Sequence, residues 1–358
     1  VIDLPDYPWD KLAPYAEKAR SHGGGMVDLS VGTPVDATPE IVRAALAAGA
    51  DAPGYPATAG SPELRASIVG WLARRFGAHV PAEGVLPVIG TKELVAWLPT
   101  LLGARTVGHP ALAYPTYAVG ARIAGARAVE VEGLSALGPE QLDVLWINSP
   151  ANPTGRVLPV AHLRKTVEWA RERGTVVASD ECYADLYYGP DAPLSVLSPT
   201  VSDGDHAGLL AVHSLSKRSN LAGYRAGFVA GDPALVADLL QVRKHAGMMV
   251  PAPVQAAMVA ALDDDQHVEQ QRARYAGRRE VLAAALGGAG FELADGDAGL
   301  YLWATRGEDC WRTVGWFADR GILVAPGEFY GAGGSRYVRV ALTASDERVQ
   351  AGADRLAG

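Results

Sequence analysis

The sequence predicts an α/β protein in two parts: a large domain with a mainly parallel sheet sandwiched by helices, and a smaller α+β domain. Two observations predict it. Short β-rich runs alternate with helix-like stretches over most of the chain, and each run stops at polar or Gly/Pro residues. Such alternation builds parallel strands joined by helices that cover both faces of the sheet. Near Asp263 the alternation ends, and one long helix-like stretch leads into a set of short strand-like runs.

The predicted strands of the large part are, in order, Val85–Ile89, Arg127–Val131, Val144–Ile147, Thr175–Ala178, Leu209–Val212 and Ala226–Val229. Helices are predicted over Pro62–Phe76 and Pro159–Arg173. The first opens Ser61-Pro62-Glu63, an N-cap, a proline at the first helical position and an early acid. A further helix-like stretch, Glu93–Leu101, follows Gly90-Thr91-Lys92. In the smaller part a helix over Gln266–Leu286 precedes strands at Phe291–Leu293, Leu300–Ala304, Ile322–Val324 and Tyr337–Leu342. The expected division is a large domain over 39–265 and a small domain built from both chain ends, 1–38 and 266–358.

Composition narrows the function. The chain has 358 residues, 49% hydrophobic and 20% charged, with a formal net charge of -8. That is ordinary globular composition without the overall basic surface of a nucleic-acid binder. No apolar run approaches the roughly 18 residues of a membrane helix. The opening VIDLPDYPWD lacks the basic start and apolar core of a secretion signal. Cys182 and Cys310 stand far apart, and the eight His show no metal-ligand spacing. The expectation is a cytoplasmic protein without metal or disulfide.

In open α/β sheets, ligands bind beyond the carboxyl ends of the strands. Three successive strand ends here carry reactive groups: Asn148-Ser149-Pro150-Ala151-Asn152-Pro153-Thr154-Gly155, then Ser179-Asp180-Glu181-Cys182-Tyr183, then His213-Ser214-Leu215-Ser216-Lys217-Arg218. Singly, these read as a turn, a helix cap and a solvated loop. Together they offer an amide, a carboxylate with a phenol, and a lysine in a Ser-rich loop, all at one edge.

The motifs NSPANPTG, ASDECY and HSLSKRSNLAGYRAG, with GYPATAGSPELR and AYPTY upstream and YVRVALT downstream, resemble those of the aspartate-aminotransferase-like family of pyridoxal-phosphate (PLP) enzymes of fold type I. The resemblance runs from about Leu29 to Leu342. It implies PLP as cofactor, covalently held by Lys217, whose amine must be made free by burial or nearby cations such as Arg218 and Arg225. It implies Asp180 on the pyridine nitrogen, where a carboxylate keeps that nitrogen protonated and the ring electron-accepting. Asn152 and Tyr183 would donate to the ring's phenolate oxygen and favour its charged form. Ser214, Ser216, Arg225, Thr91 and Lys92 would hold the phosphate, the last two at a helix N-terminus. Tyr114 would stack on the ring, with Tyr117 also available for that place. Arg339, mid-strand in YVRVAL, would bind the substrate α-carboxylate as a planar fork, beside Asn152 and Gly32.

Tyr55 matches a tyrosine that, in the family, reaches the partner subunit's phosphate, so a homodimer with a shared active site is implied. The implied reaction is ping-pong transamination between an amino acid and a 2-oxo acid, with Lys217, Asp180 and Tyr183 as the catalytic group. An aminotransferase of another amino acid (aspartate, aromatic or alanine type) and a fold-type-I lyase or decarboxylase share this cofactor machinery, and a ligand-sensing regulatory module shares the fold. Within the family, LAYPTY, INSPANPTG, SDECYADLY, SLSKRSNLAGYRAGF and KHAGMMVPAPVQAA look most like N-succinyldiaminopimelate aminotransferases of actinobacterial type, which act in lysine biosynthesis. A distal cation would then meet the substrate's far carboxylates, with Arg20, Arg218, Arg243 and Lys244 as candidates.

Overall fold

The computed structural model describes residues 2–134 and 140–358. Its strands are β1 (Val27–Leu29), β2 (Val85–Ile89), β3 (Thr106–Pro110), β4 (Arg127–Val131), β5 (Val144–Asn148), β6 (Val176–Asp180), β7 (Leu209–Ser214), β8 (Ala226–Gly231), β9 (Glu292–Leu293), β10 (Tyr301–Thr305), β11 (Ile322–Pro326) and β12 (Val338–Ala341). Seven form one sheet in the order β2-β8-β7-β6-β5-β3-β4, and five form a second in the order β1-β11-β12-β10-β9. The α/β reading holds, with the larger sheet parallel except at β8, which runs antiparallel to both β2 and β7. The smaller sheet joins both chain ends, because β1 pairs in parallel with β11. We propose 39–265, and 1–38 with 266–358, as the two units.

Period-two alternation explains the layers. Along β7, Leu209 and Ala211 enter one core while Leu210 and Val212 enter the other; along β5, Leu145 and Ile147 oppose Val144 and Trp146 in the same way. The first core is closed by the helix Pro62–Phe76, which buries Leu64, Ile68, Trp71, Leu72 and Phe76 at helical spacing. Its start is as expected: the Ser61 hydroxyl accepts from the Leu64 N–H at 3.1 Å, and Gly77 ends it at φ 66°. The second core is closed by the helix Thr91–Leu101 with Leu94, Val95 and Leu98, together with Tyr117 and Leu239.

Three expectations need correction. β1 and β3 were not anticipated. β6 and β7 run on to Asp180 and Ser214, so these two residues close their strands rather than follow them. The helix placed at Glu93 starts at Thr91, directly after Gly90 at φ 72°.

Register then places the site. Asn148 lies opposite Asp180 on β5 and β6, and Asp180 lies opposite Val212 on β7, so the three motifs share one edge. The reversal at β8 adds a fourth. Because β8 is antiparallel, it begins at the edge where its neighbours end, pairing Gly227 with Ser214 and Ala226 with Ile89. Arg225, immediately before it, therefore sits beside both the lysine loop and the start of the helix Thr91–Leu101.

Candidate active site

A cavity of about 630 Å³ opens at this edge, between the larger sheet and β10 and β12 of the smaller one. At its floor, Asp180 is buried on the last position of β6. Its Oδ2 accepts from the Tyr117 hydroxyl at 2.7 Å, and its Oδ1 accepts from the Cys182 N–H at 3.2 Å. Burial pushes the carboxyl above its usual range, and the two hydrogen bonds pull the other way. Tyr117 is wholly buried against Trp146, with ring centroids 5.1 Å apart. That leaves Tyr114, half-buried on the cavity wall, as the tyrosine whose ring is available for stacking.

Lys217 reaches across the cavity to donate to the carbonyl of Gly32. Burial holds its amine below the ordinary lysine range, with Arg339 and Arg225 acting in the same direction against Tyr301 and Cys182. Arg218 does not take part as expected. It is buried behind the loop, donating to Asp185 at 2.6 Å and to the Ala261 carbonyl at 3.1 Å.

At one end of the cavity, the Ser214 hydroxyl accepts from the Ser216 N–H at 3.1 Å. Thr91 heads its helix, with its hydroxyl 3.3 Å from Cys182 Sγ. Arg225 adopts a left-handed conformation, φ 58°, and a Cβ on Gly90 would collide with its guanidinium. The glycine is thus what lets an arginine close on a helix N-terminus, and hydroxyls, amides and a cation converge there. Lys92 lines the mouth but is exposed, with Nζ 5.4 Å from the Tyr7 ring centroid.

At the other end lies Arg339, 3% exposed on β12. It donates to Asn152 Oδ1 at 3.0 Å and to the Ser30 carbonyl at 2.7 Å, and its Nε is buried without a partner. Its guanidinium lies 3.8 Å from the Tyr301 ring centroid and 4.9 Å from that of Tyr330. Among the described residues no carboxylate pairs with it. Asn152 spends its carbonyl on Arg339 and keeps its amide NH₂ to donate. Tyr183 meets the Tyr301 hydroxyl at 3.1 Å, and Gly32 is buried under the same tyrosine.

Of the sequence-predicted residues, Lys217, Asp180, Tyr183, Asn152, Thr91, Lys92, Tyr114, Ser214, Ser216, Arg225, Arg339 and Gly32 all line this one cavity. Tyr55 does not: it is 98% exposed. None of the distal-cation candidates lines it either. Arg20 and Lys244 are exposed on helices, and Arg243 is fully buried against Glu93 at 2.9 Å. Sequence reasoning missed Tyr301, Tyr7 and Trp9 on the cavity wall, and Asn148, whose Oδ1 accepts from the Asn152 N–H at 2.7 Å. Asn148 was legible as a strand-end amide; the aromatic three carried no signal.

The donor set fits PLP. One end offers hydroxyls, helix amides and an arginine to a phosphate, the floor offers a buried carboxylate to a ring nitrogen, and an amine of lowered basicity stands between them. A second cavity of about 540 Å³, lined by Leu145, Arg156 and His162 among others, has no lysine among its described lining residues. Comparison with known proteins agrees. Residues 24–356 match the family model for aminotransferase class I and II. The chain is 64% identical over 357 residues to a probable aminotransferase of Mycobacterium tuberculosis, covering 99% of this chain and 85% of that protein. It is 60% identical over 358 residues to the 4-dedimethylamino-4-oxo-anhydrotetracycline transaminase OxyQ of Streptomyces rimosus, covering 99% of each. A solved structure described as a probable N-succinyldiaminopimelate aminotransferase of Thermus thermophilus superposes with a TM-score of 0.88 at 29% identity, covering 98% of this chain and 99% of that one. This chain belongs to the class I and II aminotransferases, PLP-dependent enzymes of fold type I.

Proposed function

We propose that the chain takes the amino group of an α-amino acid bound through Arg339 and transfers it to N-succinyl-2-amino-6-ketopimelate, with Lys217 as the PLP-binding and proton-moving residue. The observation that carries the amino-acid part is a buried guanidinium without a counter-carboxylate among the described residues, in the same cavity as an enclosed lysine amine. A fork-shaped cation of this kind matches a substrate carboxylate.

PLP, when bound, supplies the electron sink that takes up the pair released at the substrate Cα. Lys217 Nζ would hold the group and, as a free amine of lowered basicity, would take up the substrate Cα proton. Asp180, steadied by Tyr117, would face the ring nitrogen and favour its protonated form. The free amide of Asn152 and the hydroxyl of Tyr183 donate to the ring oxygen. Ser214, Ser216, Thr91 and Arg225 take the phosphate, with Lys92 at the mouth. Tyr114 covers the ring and excludes water. Tyr55 serves a second copy, in a homodimer.

The succinylated acceptor is supported by the Thermus neighbour and by the subgroup resemblance. A second reading is favoured by a specific observation: the relative OxyQ is a 4-dedimethylamino-4-oxo-anhydrotetracycline transaminase, and among the described residues the cavity wall here includes Tyr7, Trp9 and Tyr114 and no arginine besides Arg225 and Arg339. One experiment separates them. Amino donors, including succinyldiaminopimelate, aspartate, alanine, aromatic amino acids and histidinol phosphate, are run against 2-oxoglutarate, with an aminated tetracycline precursor as a further donor. The succinylated reading is withdrawn if succinyldiaminopimelate gives a lower kcat/KM than a common amino acid. A lyase is detected by product release that leaves the bound cofactor unconverted, whereas an aminotransferase converts it to the pyridoxamine form with stoichiometric keto acid.

A further inference from the structure

Tyr301, the first residue of β10, has no role in the reading above, yet it touches three of its parts. Its ring carries the Arg339 guanidinium on one face at 3.8 Å. Its hydroxyl lies 3.1 Å from the Tyr183 hydroxyl, with the two rings at 72° and centroids 5.9 Å apart. Its third contact is with Gly32. A Cβ there would overlap the Tyr301 hydroxyl and come within 2.7 Å of Cζ, so only a glycine leaves room for this phenol. The Gly32 carbonyl is in turn the acceptor for Lys217 Nζ. One buried side chain, 6% exposed, therefore contacts the carboxylate clamp, the phenol beside the cofactor site and the segment that receives the lysine.

The geometry points to Tyr301 as a positioning residue that donates its hydroxyl proton to the Tyr183 oxygen and thereby turns the Tyr183 proton into the cavity. Each phenol has one proton, and only one can lie between the two oxygens. If Tyr183 donated to Tyr301, it would have nothing to offer a ligand; if Tyr301 donates, Tyr183 both accepts and donates. The surroundings choose between these. Burial opposes loss of the Tyr301 proton, but the Arg339 guanidinium, 3.8 Å from the ring centroid, outweighs it and favours that loss. Tyr183 is pushed the other way, by burial first and by Tyr301 next. The more acidic phenol is the donor, and a phenol that accepts a hydrogen bond is itself a stronger donor.

The inference rests on the placement of Tyr183 at the cofactor's ring oxygen. Its test is the pH titration of the visible absorbance of the holoenzyme, in Tyr301→Phe, Tyr183→Phe and the double variant. Tyr301→Phe is expected to raise the midpoint by roughly two- to tenfold in proton affinity, the scale of one hydrogen bond. In the Tyr183→Phe background the same change is expected to do little, since its target is gone. Because the ring stays under Arg339, kcat falls more than KM rises for a carboxylate donor. In the apoprotein, the phenol absorbance near 295 nm should lose a component that titrates below the ordinary tyrosine range. An unchanged midpoint in Tyr301→Phe, or an equal shift in both backgrounds, overturns the inference. Should Tyr301→Phe not hold cofactor, Gly32→Ala displaces the hydroxyl by contact, and a folded Gly32→Ala with the parent midpoint overturns it equally. A wild-type holoenzyme with no visible titration dependent on Lys217 would sink the site reading itself.

Discussion

Removing Arg339 tests the substrate-binding half of the site, and the structure bounds the size of the effect. The side chain is 3% exposed, its hydrogen-bond partners are the neutral oxygens of Asn152 and Ser30, and no carboxylate pairs with it among the described residues. A substrate carboxylate would complete a buried, charge-assisted pair, and truncating one side of such a pair typically costs about 2–5 kcal/mol. At about 1.4 kcal/mol per factor of ten, kcat/KM for an α-amino acid should fall by roughly 30- to 4,000-fold in Arg339→Ala. Arg339→Lys should raise KM sharply and lower kcat, since a point charge cannot reproduce the fork. The assay is steady-state transamination with holoenzyme of verified cofactor content, run beside a primary amine that lacks the carboxylate. The amine should be far less affected than the amino acid. An Arg339→Ala enzyme within about threefold of the parent on the amino acid, or one that loses both substrates equally, refutes the assignment.

Lys217→Ala should abolish transamination and the borohydride-fixed cofactor adduct while leaving some PLP binding through the phosphate contacts; parental turnover in this variant would end the reading. Tyr117→Phe removes a 2.7 Å hydrogen bond to the buried Asp180, worth about 1.5–3 kcal/mol for a charged acceptor, and should weaken PLP binding by tenfold or more in a fluorescence titration. Light scattering should give a dimer, and a strictly monomeric, fully active enzyme would remove Tyr55 from the site. Glu181→Gln tests a buried group behind the cavity. Burial raises the Glu181 carboxyl to about 7, so the folded state binds more protons than the unfolded one between its ordinary value near 4.5 and 7. Stability from this group is therefore lost as pH rises through that window, on the order of 3 kcal/mol. The Gln variant should lose that dependence and gain a few degrees of Tm at pH 8 relative to the parent, measured against pH 5; equal pH dependence in both would refute it.

The strand-end chemistry was legible because it is local. Asn152, Asp180 and Lys217 each follow or close a β-rich run, and parallel strands bring such ends together whatever the side chains do. What lay outside that rule was not legible. The segment Thr106-Val107-Gly108-His109-Pro110 contains Gly and Pro and reads as a turn, yet it is β3. Gly108 suits a central strand because a Cβ there would meet Leu142 Cδ1 at 2.6 Å. β1 is three residues long and has no pattern to find. Tyr301 and Tyr183 meet across 118 residues of chain, one on β10 and the other in the turn after β6, and neither run predicts the other. Spacing does not separate Tyr114 from Tyr117 and only the resemblance favours Tyr114; in the structure the Tyr117 hydroxyl is bonded to Asp180, a pairing that spans 63 residues of chain.

The arginines show why charge alone misleads and pairing does not. Arg218, Arg243, Arg278 and Arg339 are all nearly or fully buried, and a guanidinium withdrawn from water is costly unless its charge is met. Arg218 is met by Asp185 at 2.6 Å, Arg243 by Glu93 at 2.9 Å and Arg278 by Asp36 at 2.6 Å. These are closed pairs: each supplies internal structure and has little left to offer a ligand, which is why Arg218 and Arg243 fail as distal cations. Arg339 alone among these four has no carboxylate partner among the described residues, only two neutral oxygens and the faces of Tyr301 and Tyr330. Cation–π contact offsets part of the desolvation and leaves the charge in place. We propose that this charge is completed from outside: Arg339 and Lys217 line one cavity, and an anion bound at the guanidinium would lie within reach of the amine.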